Sequence, residues 1–209
     1  MSGGRTEEEM MNTWDRFSSR MNKALTVTGA CLILAIAIGI TAEILLRKIF
    51  NETLGGMDEL ASYGFAIFTA LAFSVAALAR ANIRIDVLRS WCPRPARVAL
   101  DLLAQIALIA FAGFLTWRAT LLVGASWAKG TTAITPLATP VAWPQSVWLA
   151  ALWVFVTILC VMFGLSVRAL LRGDDAALAT LAAPVGELDE LAPQQHTITE
   201  ALTTGAKEA

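Results

Sequence analysis

The stretch ALTVTGACLILAIAIGITA, residues 24–42, contains no Asp, Glu, Lys, Arg or His. As a helix it would be about 28 Å long, close to the roughly 30 Å thickness of the hydrocarbon core of a bilayer. Residues 60–79 and 130–167 are also uncharged, and residues 102–117 form a slightly shorter run. With 56% hydrophobic residues and a mean hydropathy of +0.62, the sequence predicts an all-α integral membrane protein with four transmembrane helices.

The membrane domain is predicted to cover residues 24–167. Its first uncharged run ends in TAEILLRKIF, which has no small-residue cleavage site, so we expect this run to be retained as a span and not removed as a signal peptide. The four spans are expected at about residues 24–46, 60–79, 98–127 and 145–167.

Residues 1–23 precede the first span. Thr6 and Glu9 fit a capping box, and the apolar residues that follow have helical spacing. This pattern predicts either an amphipathic helix at the membrane interface or an extension of the first span's helix. Residues 168–209 are predicted to form a polar cytoplasmic tail. From residue 173 this tail has seven acidic residues and one lysine, a composition typical of disorder.

Basic residues predict the orientation of the chain. Twelve of the sixteen lie in the N-terminal segment, in the connection between spans two and three, and in the C-terminal segment, whereas four lie in the other two connections. Positively charged residues are enriched on the cytoplasmic side of membrane proteins. We therefore expect both termini and residues 80–97 to be cytoplasmic in a bacterial inner membrane, and residues 47–59 and 118–144 to be periplasmic.

Several function classes find little support in the residue types. Cys31, Cys92 and Cys160 form no CxxC pair, which argues against a disulfide scaffold and against a quinone-linked thiol oxidoreductase. The only histidine, His196, lies in the polar tail, so a haem held between the spans is not expected. We expect no catalytic site, metal site or cofactor, and no nucleic-acid partner. We expect the membrane domain to contact the lipid bilayer.

Glu43 is the acidic residue that lies well inside the first span. An acid within a membrane span suggests proton coupling, as in a self-sufficient, small-multidrug-resistance-like transporter. Alternatively, Glu43 lies near the outer interface and pairs with Arg47, because residues four apart share a helix face. The length of the chain, its proline-containing loop and the shallow position of Glu43 favour the pairing.

Two connections have unusual patterns. Residues 129–145, KGTTAITPLATPVAWPQ, are apolar but contain three prolines, so we expect a loop covered by protein at the membrane or its interface. Residues 77–91, ALARANIRIDVLRSW, fit an amphipathic helix, although residues 83–87 also alternate like a strand. This second segment is either a membrane anchor or a contact with a partner.

The sequences LLRKIFN, residues 45–51, and MDELASYGFAIFTALAFSVAALARANIRIDVL, residues 57–88, resemble the signature region of a transporter family. This family is the DctQ-like small membrane subunit of tripartite ATP-independent periplasmic (TRAP) transporters. The resemblance extends over roughly residues 25–167. It matches Arg47 at the end of span one, an acidic pair at the start of span two, and an R-x-x-H-I-x-V-D-like motif after it. Asn82 stands where the family usually has His, and Met57 where Trp is common.

The resemblance implies a function. TRAP systems import carboxylate-bearing solutes with a sodium gradient: a periplasmic solute-binding protein captures the solute, and a large membrane subunit carries the ion and substrate sites. The small subunit is then a non-catalytic scaffold for the large subunit. The residues expected to have structural or partner-interface roles are Arg47, Asp58, Glu59, Arg80, Asn82, Arg84 and Asp86.

Overall fold

A computed structural model of the protein describes residues 3–53, 55–79, 93–135 and 137–172. Within this part of the chain there are four helices, which we number in chain order: α1 Gly3–Phe50, α2 Met57–Leu78, α3 Arg94–Lys129 and α4 Ala142–Arg172. Each is long and apolar enough to cross a membrane. The predicted fold class is therefore confirmed. The predicted segment 80–86 and the tail from residue 173 lie outside the described residues.

Helix α1 is one continuous helix of 48 residues. The segment before the first span is part of this helix, so the structure has the extension and not a separate interfacial helix. Arg47 and Lys48 lie in the last turn, where basic side chains interact favourably with the negative end of the helix dipole. The helix ends at Phe50, and the next residue, Asn51, has a left-handed backbone conformation (φ 55°).

Helices α1 and α2 form an antiparallel hairpin in which glycines of one helix receive side chains of the other. A Cβ on Gly64 of α2 would lie 2.5 Å from Cδ1 of Ile36, and a Cβ on Gly29 of α1 would lie 3.3 Å from the ring of Phe68. Small residues allow the backbones of two membrane helices to approach closely, and dispersion contacts then replace the contacts with lipid. The glycines thereby set the register of the hairpin.

Helix α3 is longer than the hydrocarbon core requires. Its 36 residues span about 54 Å. Its N-cap residue is Pro93, which has an extended conformation. Its C-cap residue is Gly130, which has a left-handed conformation (φ 57°). The sequence predicted one span to about residue 127, and α3 continues without a break to Lys129.

The loop between α3 and α4 folds back on itself. The Ala133 amide donates to the Thr139 carbonyl at 3.0 Å, and the Val141 amide donates to the Thr131 carbonyl at 3.1 Å. This segment was predicted to be a proline-containing loop. Helix α4 begins at Ala142, three residues before the predicted start. Pro144 therefore lies in the first turn, where the missing amide hydrogen has no helical partner to lose.

The helices pack side by side in the order α1, α2, α4, α3. Two apolar clusters connect α2, α3 and α4. The first is built around Phe155, and the second around Leu152. Alanines fill the α2 and α3 sides of both clusters, which lets these helices pack closely against α4. The members are Ala77, Ala112, Phe155, Ile158 and Leu159 in the first, and Ala70, Ala119, Ala151 and Leu152 in the second.

Candidate functional site

A cavity of about 220 Å³ lies where the end of α1 meets the beginning of α2, and several charged side chains line it. We call it the α1–α2 cavity. It brings together three of the predicted site residues, Arg47, Asp58 and Glu59, and adds Glu43 and Thr135. The full lining is Glu43, Arg47, Thr53, Gly55, Gly56, Met57, Asp58, Glu59 and Thr135.

Glu43 and Arg47 form an ion pair on the α1 side of the cavity. The Arg47 guanidinium donates to Oε1 of Glu43 at 3.0 Å, as the spacing of four residues predicted. The Glu43 side chain is buried, whereas 60% of the Arg47 side chain is exposed. Because the Arg47 side chain is largely exposed, we expect the pair to add little to stability and mainly to fix the direction of the Glu43 carboxylate.

The beginning of α2 supplies a second reason for acidic side chains here. Its N-cap residue, Gly56, makes no side-chain capping hydrogen bond. Asp58 and Glu59 lie in the first turn of α2, and Glu43 lines the same cavity. Negative charge is favourable at this end of a helix, because the amide groups of the first turn carry partial positive charge. The three carboxylates are therefore placed around the positive end of the α2 dipole.

Glu59 joins the loop between α3 and α4 to the start of α2. It is 7% exposed. Tyr63 donates its hydroxyl hydrogen to Oε1 at 2.9 Å, and the hydroxyl of Thr135 donates to Oε2. Thr139, from the same loop, also lies close to the carboxylate. Both carboxylate oxygens therefore have partners, and one of those partners, Thr135, comes from the loop.

The same loop packs against the turn before α2. A Cβ on Gly56 would lie 3.2 Å from Cβ of Leu137, so any larger residue at this position would push the loop away. This close approach and the Glu59 hydrogen bonds act on the same loop, since Thr135 and Leu137 are separated by one residue. Together they close one side of the α1–α2 cavity.

Polar contacts at well-separated levels join α3 to α4, and two of them involve Trp127 and Gln105. The indole nitrogen of Trp127 donates to the Ser146 hydroxyl at 3.0 Å. Near the other end of the pair, the Gln105 amide donates to the Ser166 hydroxyl at 3.3 Å. Hydrogen bonds between membrane helices have few competitors in hydrocarbon, so these contacts fix the antiparallel register of α3 and α4.

The family model for the DctQ component of tripartite ATP-independent periplasmic transporters matches residues 36–172. The chain belongs to the DctQ family. The match covers roughly two thirds of the sequence, from the second half of α1 to the end of α4. Comparison with curated proteins and with solved structures gave no significant match. As a DctQ component, the chain is part of a TRAP transporter and works with the other components of a tripartite system.

The DctQ match includes the whole α1–α2 cavity and the loop that covers it. In this DctQ component, Arg47, Asp58 and Glu59 line the same cavity. Asp58 is exposed, whereas Glu59 is buried and bonded within the chain. Arg80, Asn82, Arg84 and Asp86, the other predicted site residues, lie outside the described residues.

Sequence reasoning missed Tyr63, Thr135 and Thr139 in this DctQ component. Tyr63 follows Glu59 by four residues on the same helix, and side chains at this spacing contact each other. The spacing alone could therefore have predicted this pair. Thr135 and Thr139 are distant in sequence and lie in a loop, and no periodicity connects them to α2. Among the described residues, no group of three or more His, Cys, Asp or Glu side chains is placed to hold a metal ion.

Proposed function

We propose that this chain is the non-catalytic scaffold subunit of a sodium-driven TRAP importer of carboxylate-bearing solutes. It binds the large membrane subunit in a bacterial inner membrane, and a periplasmic solute-binding protein delivers the solute to the assembled complex. Arg47, Asp58 and Glu59 organise the periplasmic end of the subunit. The segment that contains Arg80, Asn82, Arg84 and Asp86 contacts the large subunit on the cytoplasmic side.

The exposed apolar faces of the first and third helices carry this proposal. Because the order is α1, α2, α4, α3, α1 packs mainly against α2 and α3 packs mainly against α4. Large apolar side chains on both helices are exposed, including Ile38 on α1 and Phe111 on α3, which are 62% and 67% exposed. These faces offer apolar surface to lipid and to another membrane protein, as a scaffold subunit requires.

The polar groups of the α1–α2 cavity support a structural role. Glu43 is paired with Arg47, and Glu59 is bonded to Tyr63 and Thr135. A proton-carrying carboxylate must exchange its proton with both sides of the membrane, whereas Glu43 lies two turns from the end of α1. The bonded carboxylates connect parts of this chain to one another, which favours the scaffold over a self-sufficient proton-coupled transporter.

The proposed energy source and solute are supported by the family resemblance, and the proposed orientation is supported by the distribution of basic residues. Sodium coupling and carboxylate-bearing solutes are what the family resemblance implies, together with ion and substrate sites on the large subunit. The excess of basic residues in the terminal segments and in residues 80–97 supports cytoplasmic termini. With that orientation, the α1–α2 cavity and the loop that covers it face the periplasm.

Reconstitution in proteoliposomes tests the proposal. The wild-type chain, the large subunit and the solute-binding protein are combined, and uptake of a radiolabelled carboxylate is measured with an inward sodium gradient. We expect uptake with all three components and background uptake when the small subunit is omitted. Proton-driven transport by the small subunit alone, lost in Glu43→Gln, would contradict the scaffold and establish the small proton-coupled transporter instead.

A further inference from the structure

Arg118 is a charged residue in the interior of α3. It precedes Trp127 by nine residues and follows Gln105 by thirteen. Its side chain is exposed, and its guanidinium lies 6.0 Å from the centre of the Trp117 ring. No ion pair or hydrogen bond connects this guanidinium to another described residue.

The contacts between α3 and α4 give the depth of Arg118. Trp127 pairs with Ser146 and Gln105 pairs with Ser166, so antiparallel counting places Arg118 opposite residues 153–155 of α4. Helix α4 carries no charged residue from position 142 to position 167. Arg118 is therefore level with the centre of the uncharged run by which α4 crosses the membrane.

An aromatic pair supplies a second estimate of the depth. Trp127 and Trp143 contact each other edge to face at 5.3 Å, and both are about half exposed or more. These two tryptophans lie at the loop ends of α3 and α4, close to Lys129, and aromatic side chains at helix ends mark the boundary between membrane and water. Nine residues of helix place Arg118 about 13 Å inward from this boundary, and half of the hydrocarbon core is about 15 Å. Both estimates put Arg118 near the midplane, inside the third span and not in the periplasmic segment 118–144 that the basic residues predicted.

The direction of the Arg118 side chain makes it difficult for the guanidinium to reach the nearer membrane surface. Side chains on a helix lean toward its N-terminus, which for Arg118 is the direction away from the nearby tryptophan boundary. In the other direction, Arg97 marks the basic end of α3, and 21 residues or about 31 Å separate the two arginines. A guanidinium has five hydrogen-bond donors and no means of losing its charge. In hydrocarbon it needs an acceptor from protein.

The residues around Arg118 form a continuous apolar face. Phe114, Leu121 and Leu122 are three or four residues from Arg118 and lie on the same side of α3, and the ring of the adjacent Trp117 contacts the guanidinium. All four are large and about half exposed or more: Phe114, Trp117, Leu121 and Leu122. A helix of a partner that packs on this face would surround the guanidinium with apolar side chains and exclude lipid headgroups and water from it.

We propose that this face of α3 is the surface that binds the large membrane subunit, and that Arg118 pairs there with an acidic side chain on one of its transmembrane helices. This inference rests on the proposed scaffold function. A carboxylate is the complementary group, because it accepts two hydrogen bonds from a guanidinium in a planar arrangement. Lipid phosphates are held at the headgroup level, about 13 Å or more from Arg118.

Co-purification tests the assignment. The chain is co-expressed with its large subunit, the large subunit is captured by a tag, and the amount of small subunit retained is measured. We expect Arg118→Leu to lower retention by about ten-fold or more, because it leaves the partner's carboxylate unpaired in the membrane. Lys129→Leu is the matched control, since it removes a positive charge at the end of the same helix, and it should retain the complex.

The isolated small subunit distinguishes lost binding from lost folding. Arg118→Leu should insert into membranes at least as well as wild type, because it removes an unpaired charge from an apolar face. A photoreactive residue in place of Leu121 should crosslink to the large subunit. Equal retention of the Arg118→Leu and Lys129→Leu chains, with crosslinks to lipid alone, would overturn the assignment. Absence of a wild-type complex would instead overturn the proposed function, and this inference with it.

Discussion

Glu59, in the first turn of α2, accepts a hydrogen bond from the hydroxyl of Thr135, which lies 76 residues farther along the chain. The other carboxylate oxygen accepts from Tyr63, one turn along α2. One buried side chain thus connects the hairpin of α1 and α2 to the loop between α3 and α4. Because the loop also packs on Gly56, its position depends on contacts with α2 as well as on its own hydrogen bonds.

Removal of this connection should release the loop. We expect Glu59→Ala and Thr135→Val to increase the rate of trypsin cleavage after Lys129 several-fold and to lower the melting temperature, because buried hydrogen-bonding groups lose their partners. Asp58→Ala is the control, since Asp58 is the exposed acidic neighbour. If all three variants were cleaved at the wild-type rate, Glu59 would not hold the loop.

Gly64, against which Ile36 packs in the α1–α2 hairpin, should not tolerate a large side chain. Gly64→Leu would force a side chain into the space of Ile36, and we expect it to lower the free energy of unfolding by about 1–3 kcal/mol. Gly164→Leu on α4 is the matched control, because a Cβ there has no neighbour within 4 Å among the described residues. Chemical denaturation of the purified subunit in detergent measures both. Equal stabilities would contradict the hairpin packing.

Two buried serines should respond differently to the same substitution. Ser166 accepts from Gln105 and donates to the Met162 carbonyl at 3.0 Å, whereas the Ser74 hydroxyl has no hydrogen-bond partner among the described residues. We expect Ser166→Ala to cost about 1 kcal/mol, in the range of hydrogen bonds between membrane helices. Ser74→Ala should cost less, since it removes a polar group from an apolar site. A larger loss for Ser74→Ala would show that its hydroxyl is bonded.

The orientation of the chain is open to cysteine labelling. In a background without native cysteines, single cysteines at Asn51 and Thr132 should react with an impermeant thiol reagent added outside intact cells, because both positions are predicted to be periplasmic. A cysteine at Ser90 should react after permeabilisation. The reverse pattern would invert the proposed orientation.

Substitutions in and near segment 80–86 can show whether this segment contacts a partner or only anchors the chain to the membrane. If Asp86 is paired in an interface, Asp86→Ala should cost roughly 3–5 kcal/mol of binding, whereas an exposed pair contributes roughly 0–1 kcal/mol. We expect strong loss of co-purification and of solute uptake for Asp86→Ala, and mild effects for the control Arg89→Ala. Similar, negligible effects of both would leave the segment as an anchor on the anionic leaflet.

The sequence by itself determined the fold class and the site residues that are close along the chain. Four uncharged runs indicate four spans, because an apolar stretch of about 20 residues crosses the bilayer, and this length is a property of each stretch taken alone. The pair of Glu43 with Arg47 followed from helical spacing, because residues four apart always share a face. The DctQ resemblance, confirmed by the match to residues 36–172, rested on motifs that are likewise contiguous.

The tertiary structure alone decided the order of the helices and the contacts of the loop. In lipid, apolar side chains gain little by choosing one apolar neighbour over another, so hydrophobic patterning does not encode which helices pair. Pairing depends instead on shape, as where Ile36 fits against Gly64, and on single polar contacts such as Thr135 with Glu59. Both require two distant segments to be placed together first, and neither follows from the spacing of residues along the chain.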